Sequence, residues 1–254
     1  MPQDQINQRT LTTLVVNKPK LEKKVLTTIK RRLRDCRGYD ISVAFITTSG
    51  VACIIEQLKN HEESGFSGRI LTSTYLNFTQ PEALRRLLQF NHLELRIETK
   101  KAFHSKGYLF EYEDGIHDLV LGSSNLTQTA LTTNIELNVN LQSLNEDDEL
   151  IISYKSDFEE QWNNATVVNE EFIHSYEKVY NKSKKTLQAF HVEEGVLEYG
   201  LSSTQVFQPN TMQVDALEAL EKLRNEGAEK GLVISATGTG KTFLSAFDVQ
   251  RVDP

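Results

Sequence analysis

The spacing of apolar and polar positions divides the chain into short elements of two kinds. From Lys20 to Arg37, Leu21, Val25, Leu26, Ile29 and Leu33 recur at helical spacing and Gly38 follows as a stop signal, which predicts an amphipathic helix. Residues 39–47, YDISVAFIT, read as a buried strand. Residues 50–61, GVACIIEQLKNH, read as a helix that runs into the loop ESGFSG, and 69–75, RILTSTY, as a second strand. Pro81 opens a helix over 81–90 that keeps Leu84, Leu87 and Leu88 on one side, and LELRIETK at 93–100 returns to strand. Strands alternating with helices of this length predict an α/β layer architecture around a mixed or mainly parallel sheet.

Beyond residue 100 the pattern changes. Residues 103–125 hold two strand-like runs separated by Glu113, Asp114 and Gly115, which predicts a hairpin, and NIELNVNL at 134–141 alternates as a further strand. Residues 151–165 and 170–185 read as helices closing a domain over 1–182. Weak periodicity and scattered turn residues then place a linker at 183–200, ahead of a second segment at 201–254. That segment starts with an amphipathic helix over 210–227, followed by the strand-like GLVIS and by ATGTGKT.

Composition narrows the class. A chain of 254 residues has room for one domain and part of another, and 39% hydrophobic with 25% charged residues is the make-up of an ordinary globular protein. No run reaches the ~18 apolar residues of a membrane span, and the N-terminus has no signal-peptide core, so a cytoplasmic protein without a membrane role is expected. Cys36 and Cys53 lack metal-ligand spacing and read as buried thiols. The net charge of -7 argues against a surface coated with nucleic acid. Between Lys18 and Arg37, however, nine Lys or Arg stand against Glu22 and Asp35, which makes either a basic face or a solvated helix surface.

The candidate chemistry lies in the middle of the chain. In an extended segment His104 and Lys106 project from one face, with Ser105 and Gly107 on the other. Asn125 ends the small-residue turn GSSN, where backbone can approach an anion, and Glu136 falls within the alternating run NIELNV, an unusual place for an acid. A neutral imidazole can attack phosphorus. An ammonium and an amide donor can hold developing oxyanion charge, and a carboxylate can orient the imidazole through its other nitrogen. Ser123, Ser124 and Thr127 either add hydrogen bonds to a phosphate or serve only as turn and cap residues. Phe103, Tyr75 and Phe78 either stack on bases or pack in the core.

HSK, GSSN and Glu136, in this order, resemble the HxK…N…E signature of the phospholipase D superfamily. VAFIT, TSTYLNFTQP, FHSKGYLF, GSSNLTQTAL and NIELNV are similar to the blocks of phospholipase D-like nuclease domains found N-terminal to bacterial helicases, over roughly residues 10–180. The resemblance implies a mixed β-sheet flanked by helices and a metal-independent phosphodiesterase site of His104, Lys106, Asn125 and Glu136. Ser123 and Ser124 would be substrate contacts, and the site would need no cofactor. It also implies a pair of motifs meeting at one site, one His as nucleophile and the other as general acid. No other His is followed two residues later by Lys, so a homodimer sharing its active site is expected. The family's HxKxxxxD form places an acid where Glu111 stands; strand alternation turns Glu111 to the opposite face, so it reads as structural.

GLVISATGTGKTFL has the strand, glycine-containing loop and helix start of a phosphate-binding loop. Gly238 and Gly240 let backbone N–H groups cradle phosphates, Lys241 reaches the β/γ oxygens, and Thr242 ligates Mg²⁺. Ser235 departs from the Gly that opens the usual pattern. With PNTMQVDALEAL upstream, the loop resembles the start of a superfamily 2 helicase motor, a truncated RecA-like segment, and Gln213 matches the family's adenine-reading glutamine; otherwise Gln213 is a solvated helix residue. ATP and Mg²⁺ are implied for a complete motor. No DExx-type acid follows and Asp248 lies in the next helix, so helicase or ATPase activity is not expected of this chain.

Two function classes follow. The first is a nuclease acting through a phosphohistidine, with DNA the expected substrate. The alternative is a non-catalytic nucleic-acid-binding module that targets the motor. Lipid phosphodiester hydrolysis has no membrane-seeking segment to support it.

Overall fold

The computed structural model describes residues 11–18, 24–113, 115–143, 148–189, 211–228, 230–234, 244–245 and 247–249. It divides into two units, Met1–Ser202 and Ser203–Pro254. In the first, an eight-stranded sheet runs in the order β1-β7-β6-β5-β2-β3-β4-β8. The strands are β1 (Leu11–Val16), β2 (Gly38–Val43), β3 (Ser67–Ser73), β4 (Leu93–Glu98), β5 (Lys106–Glu111), β6 (His117–Gly122), β7 (Leu137–Ser143) and β8 (Thr166–Val167). Only β2, β3 and β4 are mutually parallel, each joined to the next by a helix; all other pairs are antiparallel. The sheet is therefore mixed, not mainly parallel.

Helices α1 (Val25–Asp35), α2 (Thr48–Ser64), α3 (Pro81–Leu87), α4 (Gln128–Thr132) and α6 (Glu170–Ala189) contribute to the main core. Val25, Ile29 and Leu33 of α1 and Val51, Ile54 and Leu58 of α2 pack on Tyr39, Ile41, Val43, Tyr108, Phe110 and Val120 of the sheet. The opposite face is covered by α5 (Glu149–Asn164), whose Ile151, Phe158 and Trp162 meet Leu71, Phe103, Leu109 and Leu119. Strand alternation thus serves two apolar layers.

Several boundaries differ from the sequence reading. The helix expected over 20–37 begins at Val25: Lys24 is extended, and Asn17 Oδ1 accepts the Val25 N–H at 2.9 Å while its amide donates to Ala130 O and Asn134 O. The strand expected over 39–47 stops at Val43, because Thr47 caps α2 by accepting the Gly50 N–H. β1 and β8 went unread: both are edge strands with little apolar alternation, and β8 has only two residues. The hairpin forms as expected, with the Tyr112 N–H bonded to Ile116 O and Gly115 at φ 74°. Helix α6 continues to Ala189, into the stretch read as linker.

In the second unit, α7 (Thr211–Asn225) is the expected helix. Residues 231–234 of GLVIS form no strand, and Leu232 and Ile234 are exposed. A strand requires a hydrogen-bonded neighbour, and the described residues of this unit include none. Gln213 is buried. Asp248 forms a two-point ion pair with Arg224 at 2.8 and 3.0 Å. Gly238, Gly240, Lys241 and Thr242 lie outside the described residues.

The expected buried thiols are half right: Cys36 is buried and pushed up to about 12 by desolvation, while Cys53 is only half-buried. Four of the nine basic residues in that stretch are paired with acids. Lys30 pairs with Glu56, Arg34 with Asp35, Arg37 with Glu113, and Arg32 with Asp118 at 2.7 Å. Asp118 is fully buried and also accepts from the Tyr112 hydroxyl and the Asn140 amide. Removing one partner of such a pair strands a buried charge, so Arg32→Ala should destabilise the fold by about 3 kcal/mol in urea titration. Arg34→Ala, at an exposed pair, should leave the midpoint unchanged.

Candidate active site

The sheet register gathers the sequence-predicted residues at one end. Val43, the last residue of β2, pairs with Lys106, the first of β5; Gly107 pairs with Leu121 and Gly122 with Asn138. The C-terminal ends of β2, β3, β4 and β6 and the N-terminal ends of β5 and β7 therefore lie along one edge. His104 stands just before β5, the GSSN turn just after β6, and Glu136 just before β7. Glu136 is thus not within the strand as expected: β7 begins at Leu137.

His104 is exposed and Lys106 buried. The ammonium donates to His104 O at 2.9 Å and lies 3.0 Å from Nδ1 and 3.2 Å from Nε2. Ser105 turns to the other face, 3.2 Å from the Ser42 hydroxyl, and Glu111 sits on that face beside Lys155, as expected of a structural acid. Desolvation, and then the Lys106 charge, hold the His104 imidazole below its ordinary range. Both causes favour the unprotonated ring, the form in which it can act as a nucleophile.

Asn125 is buried with its Oδ1 accepting the Phe45 N–H at 3.3 Å, which leaves the NH₂ end of the amide as donor. The turn that carries it needs close approach from two sides. A methyl on Gly122 would sit 2.3 Å from Leu137 O, and one on Gly50, at the start of α2, 1.9 Å from Leu126 O. Ser123 Oγ donates to the Glu136 carboxylate and accepts the Leu137 N–H at 3.0 Å. Ser124 is fully buried, its hydroxyl bonded by the Asn138 amide, and the Tyr108 hydroxyl donates to Ser124 O. Ser124 therefore lies behind the turn. Thr127 accepts the Ala130 N–H as the cap of α4.

The structure thus joins Lys106 to His104 and Glu136 to the GSSN turn, and the Tyr108 hydroxyl holds that turn through Ser124 O. Glu136 does not hold His104 within one chain: the imidazole's partners are Lys106 and the Tyr75 ring, at a centroid separation of 5.8 Å. Phe103 belongs to the core beneath α5, whereas Tyr75 and Phe78 are half-exposed.

Two positioning residues went unread. Asn138 grips Ser124 through both ends of its amide; its signal was the alternation of Asn134, Glu136, Asn138 and Asn140. Buried Ser73 donates to Ala44 O at 2.7 Å, accepts the Tyr75 N–H, and lies 3.5 Å from Phe103 O, tying three segments around His104. Nothing in TSTY marks that serine.

A mixed sheet whose strand ends converge a histidine, a lysine and an asparagine is the arrangement of a phosphodiesterase of the phospholipase D type. A family model described as "Cardiolipin synthase, PLD-like domain" matches residues 29–162, more than half of the chain, and the chain belongs to this phospholipase D-like family. A model described as "Type III restriction enzyme, res subunit" matches residues 206–254, the segment that carries the ATGTGKT loop. Among solved structures, the chain is similar to Nuc from Salmonella typhimurium, a phospholipase D family member, at 15% identity and TM-score 0.50, covering 63% of this chain and 100% of that one. It is also similar to phosphatidylserine synthase from Haemophilus influenzae Rd KW20, at 12% identity and TM-score 0.55, covering 73% of this chain and 46% of that one. At these identities the likeness is one of fold. No curated protein matches. Among the described residues no helix is long and apolar enough to cross a membrane.

The electrostatics can be tested directly. In an NMR titration the His104 ring protons should report protonation below pH 6.5, and in Lys106→Met, with one of the two causes removed, the midpoint should move upward toward the ordinary histidine value.

Proposed function

We propose that this protein is a metal-independent phosphodiesterase that cleaves nucleic acid, with DNA the first substrate to examine. The observation that carries the reading is His104 held against the Lys106 ammonium, at the sheet end where the Asn125 carbonyl is taken by Phe45 and its NH₂ is left as donor. In the first step His104 attacks phosphorus, forming a P–N bond as the P–O bond to the leaving strand breaks. A second imidazole protonates the departing oxygen. In the second step that imidazole takes a proton from water, the hydroxide displaces His104, and the P–N bond breaks. Lys106 and Asn125 hold the charge that grows on the phosphoryl oxygens. Glu136, which does not reach His104 of its own chain, is the carboxylate that would offset the imidazolium of the second copy.

One chain offers one such histidine, so the reading requires a homodimer with a shared site. Ile135 and Leu137, on either side of Glu136, are 95% and 63% exposed, an apolar rim suited to a second copy. The binding-only alternative relies on a basic face between Lys18 and Arg37; Lys30, Arg32, Arg34 and Arg37 of that stretch are paired with acids, so such a face would rest on its other basic residues. Residues 206–254 would supply nucleotide binding, with ATP and Mg²⁺, only within a complete motor.

Incubated with DNA in EDTA, the chain should cleave, and His104→Ala should lose about 10³-fold or more of the rate. Cleavage that needs added Mg²⁺, or that survives the substitution, overturns the chemistry. Equal mixing of wild type with His104→Ala under subunit exchange should leave about a quarter of the activity for a shared site, and about half for independent ones.

A further inference from the structure

The segment after β3 is the strained part of this edge. Leu76 and Asn77 both adopt left-handed backbone, at φ 57° and 55°. Asparagine tolerates that region, but leucine gains nothing there, so the surroundings impose it. The turn is fixed at both ends. Ser73 accepts the Tyr75 N–H, the Asn77 amide donates to the Ser183 hydroxyl, and Thr79 donates to Ser73 O while its own carbonyl accepts from the Tyr176 hydroxyl. What the turn presents is Tyr75, half-exposed and edge-on to the His104 ring.

The neighbouring loop, after β4, is built around a buried carboxylate. Glu98 accepts the N–H groups of Lys100 and Lys101 at 2.6 and 3.1 Å, so both lysine side chains leave the loop into solvent a few residues before His104. The two loops are joined, because the Thr74 N–H donates to Glu98 O at 3.0 Å. A half-exposed aromatic ring beside His104 and two ammonium groups on an adjoining loop are the two components that hold an unpaired strand: a surface on which a base stacks and cations that follow the phosphates.

We infer that the loops after β3 and β4 form the track for a single-stranded nucleic acid, with Tyr75 stacking on the base beside the cleaved phosphate and Lys100 and Lys101 meeting the flanking phosphates. A base inside a duplex has both faces covered and cannot use Tyr75. The track therefore selects unpaired substrate. The inference rests on the phosphodiesterase reading for the position of the scissile phosphate, but strand binding can be measured without cleavage.

The test uses the full chain with a single-stranded oligonucleotide, its duplex, and a version abasic on both sides of one phosphate, each as DNA and as RNA to separate the two sources. Affinity is measured by fluorescence anisotropy in the His104→Ala background, and cleavage in the wild type. Tyr75→Ala should weaken single-strand binding about tenfold, and Tyr75→Phe should restore it. Abasic oligonucleotide should bind the Tyr75→Ala protein and its parent alike. Lys100→Gln with Lys101→Gln should lower the slope of log affinity against log salt by about 1.4. Equal affinity for duplex and single strand, or a Tyr75→Ala penalty that persists on abasic oligonucleotide, overturns the track. Wild-type chain that binds with these preferences yet cleaves nothing would overturn the phosphodiesterase reading and leave the track standing.

Discussion

The constraint on which this edge depends is the antiparallel return of β5 alongside β2. The first half of the sheet is built by parallel strands joined through helices, which sends the C-terminal ends of β2, β3 and β4 to the same side. Had β5 continued that pattern, Lys106 would stand at the far end. Pairing it antiparallel to β2, with Val43 opposite Lys106, puts the start of β5 at the edge where the parallel strands finish. The β5–β6 hairpin then brings the GSSN turn back to that edge, and β7 begins there. One reversal of direction thus converts residues up to thirty-two positions apart, His104 to Glu136, into neighbours along a single rim.

Loops at a sheet edge carry backbone donors and acceptors that no ladder satisfies, and here buried side chains satisfy them. Asn138 and Tyr108 hold the GSSN turn, Ser73 links Ala44 to Tyr75, Glu98 folds the lysine loop, and Asn17 caps α1 from outside it. Each such bond contributes modestly to stability when made, but leaving its buried partner unmade costs more, so the loops have few alternative arrangements. That asymmetry lets an asparagine amide keep one orientation without contact from a ligand. It also confines strain to Leu76 and Asn77, where packing on both sides keeps the turn from relaxing.

Much of this was legible in the sequence, and the parts that were not share a cause. Apolar periodicity located α1, α2, α3, α5, α6 and the central strands, because those elements bury a regular face. It could not show β1 or β8, whose existence depends on a partner far along the chain, nor the absence of a strand at 231–234, where no partner is described. The order HxK, GSSN and Glu136 pointed to the candidate site because chemistry constrains residue type at each position. The helpers were harder to see. Ser73 and Asn138 act through hydrogen bonds to backbone, and such work leaves no pattern in a sequence read along one dimension. Ser124 shows the converse. Its place in the turn suggested a ligand contact, yet full burial makes it part of the support.

Charge is unevenly distributed in this chain of net charge -7. Most of its conspicuous basic run lies on α1 and just past it, where Arg32, Arg34 and Arg37 pair with Asp118, Asp35 and Glu113. Asp118 and Glu113 belong to the hairpin end of β5 and β6, opposite the candidate site. At the site end, Lys100 and Lys101 are exposed, Lys106 bonds His104, and the nearby carboxylates of Glu98 and Glu136 accept from N–H and O–H donors. A screening length of about 8 Å at physiological salt makes such local arrangement matter more than the total, since acids at the far end of the sheet are largely invisible from the rim. Lys100, Lys101 and Lys106, three lysines within seven positions of one another, therefore add positive potential at the rim.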